Sequence, residues 1–428
     1  MFKTICIHGR LPALGRAELE SLYGAEALTP IGDTASGLTL APAQIDFNRL
    51  GGTVKFCKLL TVLETTNWPK IQDFLESAVP QHVVNLPEGK MKLGLSVYGL
   101  DVSPKTINAT GLQLKKIIKS TGRSVRVVPN VEKALNSAKV LHNQLTSALG
   151  WELVFIRDGT KTVLAQNIAE QDITAYANRD QARPKRDARI GMLPPKLAQI
   201  IVNLAVGQDN ISELSESFDS SGIDLRSKIS VLDPFCGTGV VLQESLLMGY
   251  DAYGTDIQER MVDYSKANLD WLADRYKLEN QSYLLETGDA TNFQWQSFDV
   301  VACETYLGRP FSAQPKPELL REVMQDVDTI HRKFLKNLAR QTKPGFRLCL
   351  AVPAWASKSL ELRSQSLDNN SDIEDLRSKL SFKHLPVLDS LPELGYTRLS
   401  FVHVSKDKLI YHREGQIVAR ELVVLVRK

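Results

Sequence analysis

Strand-like and helix-like segments alternate from Lys228 onward, and this alternation constrains the fold more than any other feature of the sequence. The apolar runs with strand character are KISVLD, YDAYGTDI, SYLLETGDA, FDVVACE and RLCLAVPAW. Helical patterns such as VVLQESLLMG and QERMVDYSKANLDWLADRY lie between them. Repeated strand–helix units predict an α/β fold with a doubly wound, mostly parallel sheet. The closing stretch, SFVHVSKDKLIYHREGQIVARELVVLVRK, predicts two antiparallel strands around a Glu414-Gly415 turn.

The front of the chain follows a different pattern. Up to about residue 165, short β-type runs are mixed with amphipathic segments such as ATGLQLKKIIKSTG, which predicts a compact antiparallel sheet with helices on one side. A chain of 428 residues is also too long for one ordinary domain. We therefore expect a front α+β part, then a polar and basic connection around AYANRDQARPKRDARIGMLPPK, and then the doubly wound domain.

Composition narrows the class of protein. With 43% hydrophobic and 24% charged residues, the chain has the balance of a soluble globular protein. No apolar run approaches the roughly 18 residues of a membrane span, and MFKTICIHGR lacks the apolar core of a secretory signal, so we expect a cytoplasmic protein without a membrane partner. The five cysteines form no CxxC pair and the histidines do not cluster, so no metal site is expected.

The strongest local motif is DPFCGTG at 233–239, which joins an apolar strand to a helix. Glycines at 237 and 239 let the backbone approach a ligand closely and make the tight turn into the helix. A G-x-G-x-x-G phosphate loop would need a third glycine where Leu242 stands, and the chain has no G-x-x-x-x-G-K-[ST] loop. Asp233, at the strand end, suits a ligand that carries a cation. S-adenosylmethionine has both an amino group and a sulfonium.

An acidic residue also follows each of the next two strands. Asp256 lies about 20 residues after the glycine turn, where doubly wound folds use a carboxylate to bind ribose hydroxyls. Asp289 ends the third strand, where a short acid can meet an adenine amino group. Each acid alone could equally be a solvated or capping residue, but three at consecutive strand ends favour one ligand crevice. Ile257 would be an apolar wall for the adenine, and a core position is an equally open interpretation for a single isoleucine.

The chain resembles the THUMP-domain-containing class I methyltransferases of the archaeal and eukaryotic guanosine-10 type. This family modifies guanine N2 in tRNA. The motifs that carry the resemblance are LPALGRAELESLYG, GMLPPKLAQIIVNLA and DPFCGTG. The resemblance covers nearly the whole chain and is most specific around DPFCGTG. It implies an α+β, ferredoxin-like part at 1–50, a THUMP-like RNA-binding domain at 51–170, a basic linker at 171–190 and a Rossmann-like methyltransferase domain at 191–428. It also implies S-adenosyl-L-methionine as cofactor and tRNA as substrate.

Carried over by position, the resemblance assigns a role to each crevice residue. The methionine part of the cofactor would be lined by Asp233, Phe235, Gly237 and Gly239. Asp256 would take the ribose, and Asp289 with Ala290 would lie at the adenine.

The family's catalytic Asp-Pro-Pro-Tyr aligns with Glu304, Thr305, Tyr306 and Leu307. The resemblance therefore implies that Glu304 orients and polarises the acceptor amine. The longer glutamate side chain shifts the carboxylate, and Thr305 lacks the φ restraint of proline, so we expect a less fixed loop. Leu307 removes the aromatic ring that stacks on the flipped base, and Tyr306 beside it could supply one.

Basic residues in two places are candidates for RNA contact. Lys115, Lys116 and Lys119 share one face of a predicted helix, and Arg179, Arg183, Arg186 and Arg189 crowd the linker RDQARPKRDAR. Such groups neutralise phosphates without reading sequence. A solvated helix face is an equal interpretation of the lysines, and Asp180 and Asp187 could instead pair with the arginines and brace the domains.

Two other functions stay open at this level. One is a non-catalytic RNA-binding protein that retains a cofactor pocket, which the altered Glu304–Leu307 loop would suit. The other is an amino-methyltransferase that acts on DNA or another nucleic acid. The sequence also leaves open whether a small activating subunit is required, and without one we expect a monomer.

Overall fold

The computed structural model describes residues 2–187, 193–215, 229–278, 280–311, 313–356, 381–413 and 415–428, with only the backbone at 209–215. The chain divides into two compact units, Met1–Arg179 and Asp180–Lys428. The division falls inside the predicted linker at 171–190. Among the helices that the structure describes, none has the length and apolar character that crossing a membrane requires.

The first unit is built on one eight-stranded sheet in the order β2-β3-β1-β4-β8-β7-β5-β6. Its strands are β1 (Thr4–His8), β2 (Leu28–Ile31), β3 (Ala35–Leu38), β4 (Thr53–Leu63), β5 (Met91–Tyr98), β6 (Val125–Val127), β7 (Gly150–Asp158) and β8 (Lys161–Glu170). Its helices are α1 (Pro12–Tyr23), α2 (Trp68–Val83), α3 (Pro104–Ser120) and α4 (Ser137–His142), and α5 (Ile173–Gln181) crosses the division between the units. β4 pairs with both β1 and β8, so residues 1–50 and 51–170 contribute to the same sheet.

This sheet is mixed, whereas the sequence pattern predicted a purely antiparallel one. β5 pairs in parallel with both β6 and β7. The helix α3 connects β5 to β6. A helical crossover of this kind lets the second strand run in the same direction as the first, so the two strands are parallel. Ser103 caps α3 by accepting a hydrogen bond from the Thr106 N–H, and Pro104 follows at the first helical position.

The second unit contains the predicted doubly wound sheet. Its strands are β9 (Ser230–Asp233), β10 (Asp251–Asp256), β11 (Tyr283–Thr287), β12 (Val300–Glu304), β13 (Arg347–Ala356), β14 (Phe382–Lys383), β15 (Tyr396–Arg398), β16 (Ile410–Tyr411) and β17 (Val418–Arg427). Its helices are α6 (Pro195–Ser215), α7 (Val240–Leu247), α8 (Glu259–Tyr276) and α9 (Pro317–Ala339). The main strand order is β11-β10-β9-β12-β13-β17-β15, and the first five of these strands run parallel. The predicted Rossmann-like α/β fold is confirmed.

The order of the parallel strands places the ligand crevice. β9 is central: β10 and then β11 lie on one side of it, and β12 and then β13 lie on the other. Ligands of doubly wound folds bind at the carboxyl ends of the strands where the order reverses, which here lies between β9 and β12.

The predicted terminal hairpin is only partly correct. β17 runs antiparallel to β13 along most of its length, from Trp355↔Val418 to Arg347↔Val426. Its other edge is shared by β15 and by β16, which has only two residues. The first strand of the predicted hairpin is not continuous, because Lys406–Lys408 forms a 3₁₀ turn. Glu414 of the predicted turn lies outside the described residues.

Candidate active site

Three carboxylates lie at the ends of three neighbouring parallel strands. Asp233 is the last residue of β9, Asp256 of β10 and Glu304 of β12. β9 pairs with both β10 and β12, so Asp233 is the central member of the three. The sequence predicted the first two from their position after a strand, and the resemblance supplied the third.

The glycine turn after β9 has the backbone that the sequence implied. Gly237 and Gly239 both have left-handed φ, 52° and 81°, a region that residues with a Cβ rarely occupy. A Cβ at position 239 would also lie 2.9 Å from the Ser265 Oγ. Ser265 donates a hydrogen bond to the Gly237 carbonyl at 2.9 Å. The left-handed backbone favours glycine at both positions, and at 239 the close approach of Ser265 excludes a side chain as well. The helix α8, which carries Ser265, stabilises the turn.

Asp233 is buried, with 2% of its surface exposed. Its Oδ1 accepts a hydrogen bond from the Phe235 N–H at 3.1 Å. Burial raises the pKa of this carboxyl well above its usual value, and the nearby charges of Asp256 and Glu304 raise it further. A positive charge beside such a carboxylate stabilises its ionised form, because desolvation penalises an unpaired buried anion.

Asp256 links the ends of β9 and β10. Its Oδ2 accepts from the Gly237 N–H at 3.0 Å, and its Oδ1 accepts from the Gln258 N–H at 2.9 Å. Burial raises the pKa of the Asp256 carboxyl, and these two backbone donors act in the opposite direction. Each carboxylate oxygen has a second lone pair, so the group can also accept from a ligand hydroxyl.

The predicted adenine end of the crevice combines an exposed apolar residue with a turn. Ile257 is 64% exposed, so the core interpretation of this isoleucine is wrong. Asp289 accepts from the Thr291 N–H at 2.9 Å, and Ala290 next to it is buried. The Gly288 N–H donates to the Asp256 carbonyl at 2.9 Å, which joins the ends of β10 and β11. Asp289 therefore caps a turn, the alternative that the sequence left open, and it retains acceptor capacity.

These residues fit S-adenosylmethionine. A buried carboxylate suits the positive groups of its methionine part, and Asp256 suits ribose hydroxyls. An exposed isoleucine beside these acids gives an adenine a face to pack on. Gly237 leaves room for the ligand, since even a Cβ at this position would have no neighbour closer than 3.9 Å.

The loop after β12 is held by side chains rather than by prolines. Thr305 is 3% exposed, and its Oγ1 lies 2.7 Å from Nε2 of His331 and 3.2 Å from the Ala351 carbonyl. The Thr305 N–H also donates to the Ala351 carbonyl at 3.1 Å. These contacts stabilise the loop at Thr305 without the φ restraint that a proline ring would give.

Glu304 has an ion-pair partner that the sequence analysis did not identify. Arg420, on β17, donates through Nε to Oε1 of Glu304. The signal in the sequence was a charged residue inside the apolar run VARELVVLV, but nothing in it showed which carboxylate the arginine meets.

Tyr306 and Leu307 complete the loop. Tyr306 is 41% exposed, so its ring lies at the surface rather than in the core. Gly308 follows with a left-handed φ of 90°, and Arg309 then pairs with Glu322 and Asp326 of α9 at 3.0 and 3.5 Å. The loop is thus tied to α9 on its far side and leaves the tyrosine ring accessible.

The basic residues predicted to contact RNA differ in exposure. On α3, Lys116 and Lys119 are exposed and Lys115 is partly exposed, and Arg186 of the linker is exposed. Arg179, in contrast, is 8% exposed and lies over the Tyr176 ring, 4.4 Å from its centroid.

Arg183 is 3% exposed and lies 3.7 Å from Asp180. The burial of Arg179 and Arg183 argues against direct phosphate contact, because the guanidinium must be reachable. The prediction for these two arginines is corrected accordingly. Arg189 lies outside the described residues.

The linker also makes a specific contact with α8. The side chain of Asn268 accepts from the Lys185 N–H at 2.9 Å and donates to the Lys185 carbonyl at 2.9 Å. The same amide donates to the Thr238 carbonyl in the glycine turn at 2.8 Å. Asp187 pairs with Arg260 of α8 at 3.3 Å. Asn268 thus connects the linker to the turn, a role that the sequence did not indicate.

Across the part of the chain that the structure describes, no group of three or more His, Cys, Asp or Glu residues could hold a metal ion. All five cysteines are buried as free thiols. Burial raises the pKa of the Cys236 and Cys303 thiols well above their usual value.

The chain is similar to known methyltransferases. Residues 225–401 match the family model described as a methyltransferase domain. Two archaeal proteins named tRNA (guanine(10)-N2)-dimethyltransferase are similar in sequence. The one from Pyrococcus abyssi is 27% identical over 258 residues, 57% of this chain and 66% of the relative. The one from Methanothermobacter thermautotrophicus is 39% identical over 179 residues, 41% of this chain and 44% of the relative. The chain thus spans less than two thirds of the length of these relatives.

A structural similarity spans the entire chain at a low score. The crystal structure of TrmN from Thermus thermophilus covers 100% of both chains with a TM-score of 0.47 and 17% identity.

Proposed function

We propose that this chain is an S-adenosylmethionine-dependent methyltransferase that methylates the exocyclic N2 amine of a guanosine in tRNA. The observation that carries the proposal is the row of carboxylates Asp233, Asp256 and Glu304 at the ends of adjacent parallel strands, beside a glycine turn. The methyltransferase-domain match and the two archaeal relatives support it. In this proposal the chain also belongs to the THUMP-containing group that the sequence resembles, with the THUMP-like domain at 51–170.

The cofactor in this proposal is S-adenosylmethionine, which would supply an electrophilic methyl group on a sulfonium; transfer breaks the sulfur–methyl bond, leaves S-adenosylhomocysteine and releases one proton from the acceptor amine. Asp233 would hold the positive part of its methionine, and Phe235, Gly237 and Gly239 would line that end of the crevice. Asp256 would accept hydrogen bonds from the ribose. Ile257 would pack against the adenine, with Asp289 and Ala290 at its edge.

Glu304 acts on the acceptor amine. Its carboxylate accepts a hydrogen bond from an N–H of guanine N2, which aims the nitrogen lone pair and increases its electron density. Positioning of this kind can supply several kcal/mol of the barrier reduction. The guanine must first leave its stack, at a cost of about a few kcal/mol. The exposed ring of Tyr306 offsets part of that cost by stacking on the flipped base, worth about 1–3 kcal/mol.

RNA contact falls to basic residues of both units. Lys115, Lys116 and Lys119 on α3 and Arg186 in the linker neutralise phosphates, which positions tRNA without reading its sequence. The protein works as a monomer in this proposal, and a requirement for a small activating subunit is the alternative that purification would reveal.

One structural observation favours a second function. The Glu304 carboxylate is already engaged by Arg420, so one of its oxygens is partly occupied before any substrate binds. A protein that binds cofactor and RNA without transferring a methyl group would show the same crevice. The third alternative, an amine in DNA, receives no support from the relatives, whose names state tRNA.

Methyl transfer from tritiated S-adenosylmethionine distinguishes these functions. We expect label in total tRNA, none in duplex DNA, and loss of label with Asp233→Asn, which removes the charge that the cofactor's cation meets. Label in DNA would support the third alternative. No label in any nucleic acid, from protein that still binds S-adenosylhomocysteine and tRNA, would support the second.

A further inference from the structure

Glu304 and Arg420 face each other across one strand. Glu304 ends β12, Arg420 lies on β17, and both strands pair with β13. In the register, Glu304 lies opposite Ala351 and Arg420 opposite Pro353. Positions 351 and 353 are two apart, so they share a face of the sheet. The arginine therefore reaches diagonally over β13 to the end of β12.

The contact is shielded from solvent. The Arg420 side chain is 6% exposed and that of Glu304 is 16% exposed, and Nε of Arg420 donates to Oε1 of Glu304. Among the described residues, none donates a hydrogen bond to Oε2 of Glu304. A buried guanidinium in an apolar strand is costly unless it is paired, so the position of Arg420 needs a reason.

The neighbouring ion pair on the same strand is separate. Glu421 points to the opposite face of β17, where it pairs with Arg398 at 2.8 Å and lies 2.5 Å from His384. Arg398 is thus a matched comparison. It is another partly buried arginine in an ion pair with the sheet, and it does not touch Glu304.

We propose that Arg420 is a positioning residue, which fixes the long carboxylate of Glu304 so that Oε2 faces the acceptor amine. This inference rests on the proposed function. Glutamate has one more rotatable side-chain bond than the aspartate of the related motif, and that freedom opposes a single productive geometry. Arg420 removes it by holding Oε1. Glu304 and Arg420 therefore act together in the role of a single aspartate, and an aspartate at 304 would be too short to keep the pair.

Steady-state kinetics of Arg420→Met with tRNA test the inference, with Arg398→Met as the control. We expect kcat to fall by about 100-fold, because a misplacement of about 1 Å can cost that much. We expect the KM for tRNA and the calorimetric Kd for S-adenosylhomocysteine to change by less than about three-fold, since neither ligand needs the arginine. Arg420→Lys, which keeps the charge, should recover part of kcat.

The outcomes separate two failures. A wild type that transfers no methyl group overturns the proposed function, and this inference with it. An active wild type with an unchanged kcat in Arg420→Met overturns the inference alone. An equal loss of kcat in Arg398→Met also overturns it, since the effect would then reflect general destabilisation of the sheet.

Discussion

His331 shows how one buried residue stabilises the loop that carries Glu304. It is 1% exposed, its Nδ1 lies 2.8 Å from the Val327 carbonyl, and its Nε2 lies 2.7 Å from the Thr305 hydroxyl. A neutral imidazole satisfies both contacts if it donates from Nδ1 and accepts from the threonine. Burial lowers the pKa of His331 to about 4, so the ring stays neutral at neutral pH.

The lowered pKa of His331 predicts how the free energy of unfolding depends on pH. An unfolded histidine binds a proton near pH 6.5, whereas His331 in the folded chain resists it down to about pH 4. The unfolded state therefore gains protons first, and the folded state loses stability as the pH falls through this window. The contribution is roughly 3 kcal/mol at most. Urea unfolding of wild type and His331→Gln should show the two free energies converging from pH 7 to pH 4.5. A constant difference across that range would contradict the account.

The residues that form the site and hold it were predictable to different degrees. Gly237 and Gly239 followed from the sequence, because a strand-to-helix turn is local and its φ requirement is written in adjacent positions. Arg420, His331 and Asn268 were not predictable. Their contacts join residues that are 116, 26 and 83 positions apart, and no periodicity encodes such pairs. For Thr305, the resemblance indicated a threonine where the related motif has a proline, and it could not show the hydrogen bonds that Thr305 makes.

At the scale of elements, α8 connects the linker to the glycine turn through Asn268. This side chain is fully buried and bonds to Lys185 on one side and Thr238 on the other. We expect Asn268→Ala to weaken S-adenosylhomocysteine binding by about ten-fold, equivalent to about 1.4 kcal/mol, because the turn loses its hold on the linker.

Calorimetry measures this directly, and Lys266→Ala is the matched control on the same helix. Lys266 pairs with Asp270 at 2.8 Å on an exposed surface and touches neither the turn nor the linker in the contacts described. The affinity of Lys266→Ala for S-adenosylhomocysteine should equal that of the wild type. Equal affinities for Asn268→Ala and the wild type would show that the linker contact does not support the cofactor site.

Elements were also predicted unevenly. The βα alternation of the second unit predicted the parallel core correctly, because α7, α8 and α9 each lie between two parallel strands and let the second strand run in the direction of the first. β11 and β12 are also parallel, although no helix is described between them. The terminal strands were harder to predict, since β17 takes three antiparallel partners and two of them are no longer than three residues. Strands that short leave almost no pattern in a sequence.

At the scale of the whole molecule, the net charge of +3 gives only a weak preference for nucleic acid. Local basic groups matter more for RNA binding than the net charge does, and three of the residues proposed to contact tRNA lie on α3. Replacing Lys115, Lys116 and Lys119 by alanine should weaken tRNA binding and reduce the slope of log K against log salt by roughly 2 to 3. Filter binding over a salt series measures both. Lys161→Ala serves as control, because Lys161 already pairs with Glu64 at 2.9 Å in the same unit. An unchanged slope in the triple variant would mark α3 as a solvated face.

In the proposed function, the crevice that ends in Glu304 is where guanine N2 in tRNA is methylated. The most direct measurement is mass spectrometry of nucleosides from unmodified tRNA after incubation with S-adenosylmethionine and either wild type or Glu304→Gln. We predict N2-methylguanosine with the wild type. With Glu304→Gln we predict at least about 100-fold less, at unchanged S-adenosylhomocysteine affinity. No N2-methylguanosine from the wild type, or the same yield from both proteins, would contradict the account.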